Sequence, residues 1–156
     1  MNPKKILVVD DDSVTLDVLT RVLNDIGCDV LTATDGSQAV TIARQEKPDL
    51  ILLDIIFPPD VGHGGGIPWD GFLIIDWLHR LEEAKETPIF VMTMGDAEQY
   101  KNRAFAKGAA AFFQKPINND ELIAAVKNTL GETASETSLL VRLNVNPPGS
   151  PDTAQG

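Results

Sequence analysis

The sequence predicts an α/β fold, a doubly wound parallel sheet of five strands with five helices on its two faces. Three observations predict it. Short apolar runs alternate five times with longer amphipathic runs, the pattern of repeated βα units. One of the short runs, "DLILLD" (49–54), is apolar up to its last residue, as a strand covered on both faces is. The 156 residues, 43% of them hydrophobic, suffice for one domain with a sizeable core.

The elements follow in order. "KKILVVD" (4–10) is a buried strand ending in acid. The helix over 13–27 carries Val14, Val18, Val22 and Ile26 at helical spacing, with Leu19 and Leu23 beside them. Asp12 or Ser13 caps its start, and Gly27 suits its end. "CDVLTAT" (28–34) is the second strand. The second helix, 35–47, is capped near Asp35 or Ser37 and closed by Pro48. After the third strand (49–54), a helix spans 70–84, a strand 87–93, a helix 95–108, a weaker strand 109–114 and a last helix 118–130. Asn118 or Asn119 caps that last helix.

Composition narrows the function. The net charge is −10, of which Glu132, Glu136 and Asp152 against Arg142 account for −2 in the final segment. The remaining −8 falls on the folded part and argues against direct nucleic-acid binding, which needs clustered Lys and Arg. The single cysteine, Cys28, excludes an internal disulfide and is expected as a buried structural thiol. No apolar run approaches the ~20 residues that span a bilayer, so a cytoplasmic protein without membrane insertion is expected.

In open parallel sheets, sites form beyond the carboxyl ends of strands. Those ends read Asp10, Asp11 and Asp12, then Asp54, then Thr93, then Lys115–Pro116. Taken singly, an Asp after a strand is an ordinary helix cap and a Lys-Pro an ordinary turn. Taken together, the four strand ends put carboxylates, a hydroxyl and an ammonium on one rim. Clustered carboxylates repel unless a cation neutralises them, and an all-oxygen set suits a hard ion, Mg²⁺ above all. With Asp10, Asp11 and Asp54 ionised, one Mg²⁺ and Lys115 bring the charge to zero. Such a site is organised for phosphoryl transfer onto an aspartate nucleophile.

At this point the motifs "ILVVDDD", "LILLD", "FVMT" and "FFQKP" resemble the signature of the response-regulator receiver domain of two-component signalling, over residues 4–130. The resemblance implies a flavodoxin-like fold with strand order 2-1-3-4-5. It implies that Asp54 is the phosphoacceptor. It implies that Asp10, Asp11, Asp54 and the backbone carbonyl of Ile56 hold Mg²⁺, with Asp10 acting mainly through water. Thr93 then contacts the phosphoryl group, Lys115 pairs with it, and Phe112 stands where the family places its switch aromatic. The implied donor is a histidine kinase or phosphotransfer protein, and the domain catalyses its own phosphorylation. The implied output is a changed surface for a downstream protein, with a homodimer as one form. Ile56 and Met94 depart from the family's usual polar and small residues at their positions.

A second departure is "FPPDVGHGGGIPWDGF" (57–72), which holds five of the twelve glycines. Eleven residues stand between Pro58 and Asp70, where the family carries a much shorter connection. The reading is therefore a receiver domain over 1–130 with an inserted Gly-rich loop at about 59–69, followed by a flexible tail over 131–156. "HGGG" (63–66) also resembles the oxyanion motif of lipases, but no G-x-S-x-G elbow accompanies it. No G-K-[ST] follows to make a P-loop. His63 has no Cys or His partner nearby for a metal. The loop is expected either as a spacer, as a partner epitope, or as a partial lid over Asp54 anchored by Trp69. Leu73, Ile75 and Trp77 make the helix after it unusually apolar all round.

Four functions compete. The first is a stand-alone receiver acting by protein contact, and the second a receiver fragment of a longer regulator with an output domain. The third is a phosphorylation-independent interaction module, which the complete set Asp10, Asp11, Asp54, Thr93 and Lys115 disfavours. The fourth is a phosphoesterase with an Asp nucleophile, whose second Asp is replaced by Ile56.

Overall fold

A computed structural model describes residues 3–55, 71–94 and 97–131. Residues 56–70, with the Gly-rich loop, Ile56, His63 and Trp69, lie outside the described set, as do residues 132–156 and the tail reading placed on them.

The described chain alternates strand and helix throughout: β1 Lys5–Val9, α1 Ser13–Asp25, β2 Asp29–Ala33, α2 Gly36–Glu46, β3 Leu50–Asp54, α3 Gly71–Arg80, β4 Ile89–Thr93, α4 Ala97–Ala106, β5 Ala111–Gln114 and α5 Asn119–Leu130. All strand pairings are parallel, in the order β2-β1-β3-β4-β5. This is the flavodoxin-like order that the resemblance implies. It places β1 and β3 side by side, with Val9 opposite Leu53, so the acids that follow β1 and end β3 meet at one edge.

Alternate residues of the central strands point to opposite faces and feed two cores. Leu7, Val9, Ile51, Leu53 and Val91 pack with Ala39, Ala43, Ile74, Ile75, Leu78 and Ala104 from α2, α3 and α4. Ile6, Val8, Leu50, Leu52, Phe90 and Met92 pack with Leu16, Leu19, Leu23, Leu122 and Val126 from α1 and α5. Every residue of β3 and β4 is buried, which explains the unbroken apolar runs. Cys28 is buried in the second core, and burial pushes its thiol pKa up. Among the described residues no helix is long and apolar enough to cross a membrane.

The caps agree with the sequence and settle its choices. Asp12 rather than Ser13 caps α1, accepting from Val14 N–H, and Asp35 rather than Ser37 caps α2, accepting from Gln38 N–H. Asn118 caps α5, accepting from Glu121 N–H. Gly27 takes φ 92° just past α1, a conformation that favours glycine.

The structure selects the buried face of one helix and corrects the bounds of another. The buried face of α1 is Leu16, Leu19 and Leu23, whereas Val14 and Val18 are 65% and 42% exposed. The helix carries more apolar residues than one face can hold, and the leucines take the sheet because they reach farther. The third helix is also shorter than expected: α3 ends at Arg80 and residues 81–87 form turns. Its apolar residues do spread around the helix, since Ile75 is fully buried, Trp77 half-buried and Leu73 exposed.

Candidate functional site

Asp10 follows β1 directly, and Asp54 is the last residue of β3. Both are buried, as is Thr93 at the end of β4. Asp11 is exposed at the rim. One carboxylate oxygen from each of Asp10, Asp11 and Asp54 lies within 4.8 Å of the others. Asp12 stays out of this group because its carboxylate serves α1, accepting from Val14 N–H and from the Thr15 hydroxyl at 2.7 Å. The Asp12 N–H donates to Asp10 Oδ1 at 2.9 Å and so helps to orient that carboxylate.

Lys115 closes the group from the opposite side. Its Nζ donates to Asp54 Oδ2 at 2.9 Å and also to Asp10 Oδ2. Its backbone N–H donates to the Thr93 carbonyl at 2.8 Å, which ties the end of β5 to the end of β4. The bond from Lys115 to Pro116 is cis. Burial opposes the ammonium charge, but the hydrogen bonds to Asp10 and Asp54 outweigh it and raise the Lys115 pKa. The Asp11 carboxyl is pushed up from its ordinary value, first by partial shielding from water and next by the Asp10 charge beside it.

Three carboxylates against one ammonium leave an excess of two negative charges. The donors are all oxygen and close enough to share one ion. That set fits a small divalent cation such as Mg²⁺. Near Asp54 the rim also holds Met94, which is 75% exposed immediately after the buried Thr93.

Residues 6–127 match the protein family described as the response regulator receiver domain. The chain belongs to the response-regulator receiver family. Protein PilH of Pseudomonas aeruginosa is 32% identical over 126 residues, covering 81% of this chain and 97% of PilH. The DNA-binding dual master transcriptional regulator RpaA of Synechocystis is 33% identical over 129 residues, covering 83% of this chain and 50% of RpaA. The chain thus spans about half of one curated relative and nearly all of the other. Among solved structures, the receiver domain of a sensor histidine kinase of Pseudomonas aeruginosa, with a magnesium ion coordinated in its active-site cleft, has a TM-score of 0.70 and 25% identity. That likeness covers 83% of this chain and 98% of the other. Receivers are components of two-component signalling and interact with histidine kinases or phosphotransfer proteins.

In this receiver, five site residues named from the sequence, Asp10, Asp11, Asp54, Thr93 and Lys115, gather at one end of the sheet. Ile56, the expected carbonyl ligand, lies outside the described residues. Phe112 is half-buried on β5 and packs against the core shared with α3 and α4, whereas Phe113 faces the other core, its ring 5.7 Å from Phe90. Sequence reasoning missed Gly71. Its N–H donates to the Ile55 carbonyl at 3.2 Å, and a Cβ there would lie 2.2 Å from Ile55 Cα. The signal was the Asp-Gly pair that opens α3, which by itself marks only the start of a helix.

Proposed function

We propose that this receiver accepts a phosphoryl group on Asp54 from a phosphohistidine donor, with Mg²⁺ bound by Asp10, Asp11 and Asp54, and that the phosphorylated state switches a protein-interaction surface. The observation that carries the proposal is the clustering of the Asp10 and Asp11 carboxylates with that of the buried Asp54, with the Lys115 ammonium bonded to Asp54.

Asp54 is the nucleophile: one of its carboxylate oxygens forms the new O–P bond as the donor imidazole nitrogen leaves. Lys115 places a positive charge 2.9 Å from the opposite Asp54 oxygen, where the incoming phosphoryl oxygens concentrate negative charge. Thr93, buried at the neighbouring strand end, is the proposed donor to the same group. The metal ion, when bound, neutralises the acidic pair and offsets the charge carried by the phosphoryl oxygens. Asp10, Asp11 and Asp54 would hold it, and Asp12 stays committed to the helix cap. The carbonyl of Ile56 completes the proposed ligand set. Phe112 and Thr93 together form the proposed switch, biasing the α4–β5 face between two states. The folded unit that does this runs to α5.

The chain is incubated with acetyl phosphate and Mg²⁺, reduced with borohydride and mapped by mass spectrometry. The label is expected on Asp54, abolished in Asp54→Asn and strongly reduced without Mg²⁺. Wild-type labelling of Asp54→Asn would falsify the assignment.

A further inference from the structure

Ile55, the residue after Asp54, is held through both of its backbone groups. Its N–H donates to the Met92 carbonyl on β4 at 3.1 Å, and its carbonyl accepts from Gly71 N–H, the first residue of α3, at 3.2 Å. The approach to Gly71 leaves no slack, since a Cβ there would lie 2.2 Å from Ile55 Cα. The start of α3 therefore bears directly on the peptide that follows Asp54. A tilt of α3 is passed to Ile55, because close-packed backbone transmits displacement rather than absorbing it.

One face of α3 meets α4 and the turn that follows it. Phe72, Asp76 and His79 follow helical spacing along one face of α3. The answering residues are Tyr100 and Arg103 on α4, with Lys107 and Gly108 just beyond its end. The Arg103 guanidinium lies 4.1 Å from the Phe72 ring centroid, and the Tyr100 ring lies 6.2 Å from it. Lys107 Nζ donates to Asp76 Oδ2 at 2.8 Å. At the last turn, Gly108 comes so close to His79 that a Cβ would sit 3.2 Å from Cε1.

Beside the buried Ala104, which shares a core cluster with Ile74, Ile75 and Leu78, the seam carries a cation–π contact, an aromatic pair and a partly buried ion pair. Each such contact is individually weak. A helix that carries the backbone clamp on the acceptor peptide is thus held in part by contacts that charge and local motion can loosen.

We propose that the α3–α4 seam is a positioning latch for the acceptor: Arg103 and Lys107, acting through Phe72 and Asp76, set the tilt of α3 and with it the peptide after Asp54. The proposal rests on the phosphoacceptor reading of Asp54. Coupling of this kind is reciprocal, so a group bound at Asp54 and the state of the seam bias one another. Arg103 and Lys107 are positioning residues and touch no reacting atom.

The test uses the full chain and beryllofluoride with Mg²⁺ as the phosphoryl probe. Apparent affinity is measured by titration calorimetry, and melting temperature separately. Arg103→Ala/Lys107→Ala is expected to weaken the probe at least threefold. The swapped pair Asp76→Lys/Lys107→Asp, which keeps Arg103, should return affinity to within twofold of wild type. Glu82→Gln, which breaks the exposed Glu82–Lys85 pair of 2.9 Å, should leave it unchanged. If the double variant fails to fold, Lys107→Gln is measured against Lys107→Arg, and weaker binding in the Gln variant alone supports the latch. A lower melting temperature with unchanged affinity shows that the seam is only structural and overturns the proposal. A wild-type chain that neither binds the probe nor takes label on Asp54 overturns the phosphoacceptor reading, and the latch with it.

Discussion

The Lys115 ammonium lies 2.9 Å from Asp54 Oδ2, with the two residues 61 positions apart in the chain. Only 11% of the lysine side chain and 6% of the aspartate side chain remain exposed. Removing one partner of such a pair leaves the other charge buried without compensation, and Lys115 serves Asp10 as well. Lys115→Ala is expected to cost about 3 kcal/mol in the metal-free protein at neutral pH. Mg²⁺ should recover part of that loss, because it neutralises the same carboxylates. Urea unfolding with EDTA and with Mg²⁺ checks both. A loss below about 0.5 kcal/mol, the ordinary range for surface changes, would contradict the geometry.

Asp11 gives the pH dependence. Its pKa is raised above 3.8 in the fold, so the fold disfavours its ionised form. The stability it contributes is fully present below pH 3.8 and is lost as pH rises through the folded pKa. At neutral pH without metal, Asp11→Asn should therefore melt higher than wild type, and the gap should close as pH falls below the ordinary aspartate range. Adding Mg²⁺ at pH 7 should raise the wild type and leave Asp11→Asn nearly unmoved. A variant that melts lower than wild type at pH 7 in EDTA would contradict the sign.

The strand ends were legible because each ends an apolar run at a charged or hydroxyl residue. Asp10, Asp54, Thr93 and Lys115 were thus visible before any geometry. The burial of α1 was not legible in the same way. Val14 and Val18 share helical spacing with Val22, and spacing alone does not tell which of two overlapping stripes meets the sheet. Leu16 was the missing signal: with Leu19 and Leu23 it completes a longer-reaching stripe. Gly71 was illegible as a close approach, since one glycine before a helix carries no record of what lies 2.2 Å from its absent Cβ. The Arg103–Phe72 contact joins α4 to α3 across a whole strand, and no local pattern encodes it.

The corrected face of α1 is itself testable. Leu23 is fully buried in the core beneath α1 and α5, so Leu23→Ala should cost roughly 2–5 kcal/mol. Val18 is 42% exposed, and Val18→Ser should change stability by no more than about 0.5 kcal/mol. Chemical denaturation of the two variants decides between the stripes. Comparable losses at both positions would contradict the leucine face.

Gly71 joins stability to the site. Helix propensity alone favours alanine over glycine by about 1 kcal/mol within a helix, so an unconstrained Gly71→Ala would stabilise the protein. The structure demands the opposite sign. The new Cβ would meet Ile55 Cα at 2.2 Å, Cβ at 2.7 Å and Cγ2 at 2.8 Å. Two of these three atoms belong to the backbone or sit directly on it, so no rotamer change relieves the overlap. Either α3 withdraws or the strand end moves, and overpacking of this kind typically costs about 1–3 kcal/mol. Withdrawal would stretch the 3.2 Å bond from Gly71 N–H to the Ile55 carbonyl and disturb the peptide next to Asp54. Gly71→Ala should therefore lose stability and also take up label from acetyl phosphate more slowly than wild type at a temperature where both are folded. A stabilised variant would show that α3 does not start against Ile55. A destabilised variant with wild-type labelling would separate the clamp from the chemistry and confine Gly71 to a packing role.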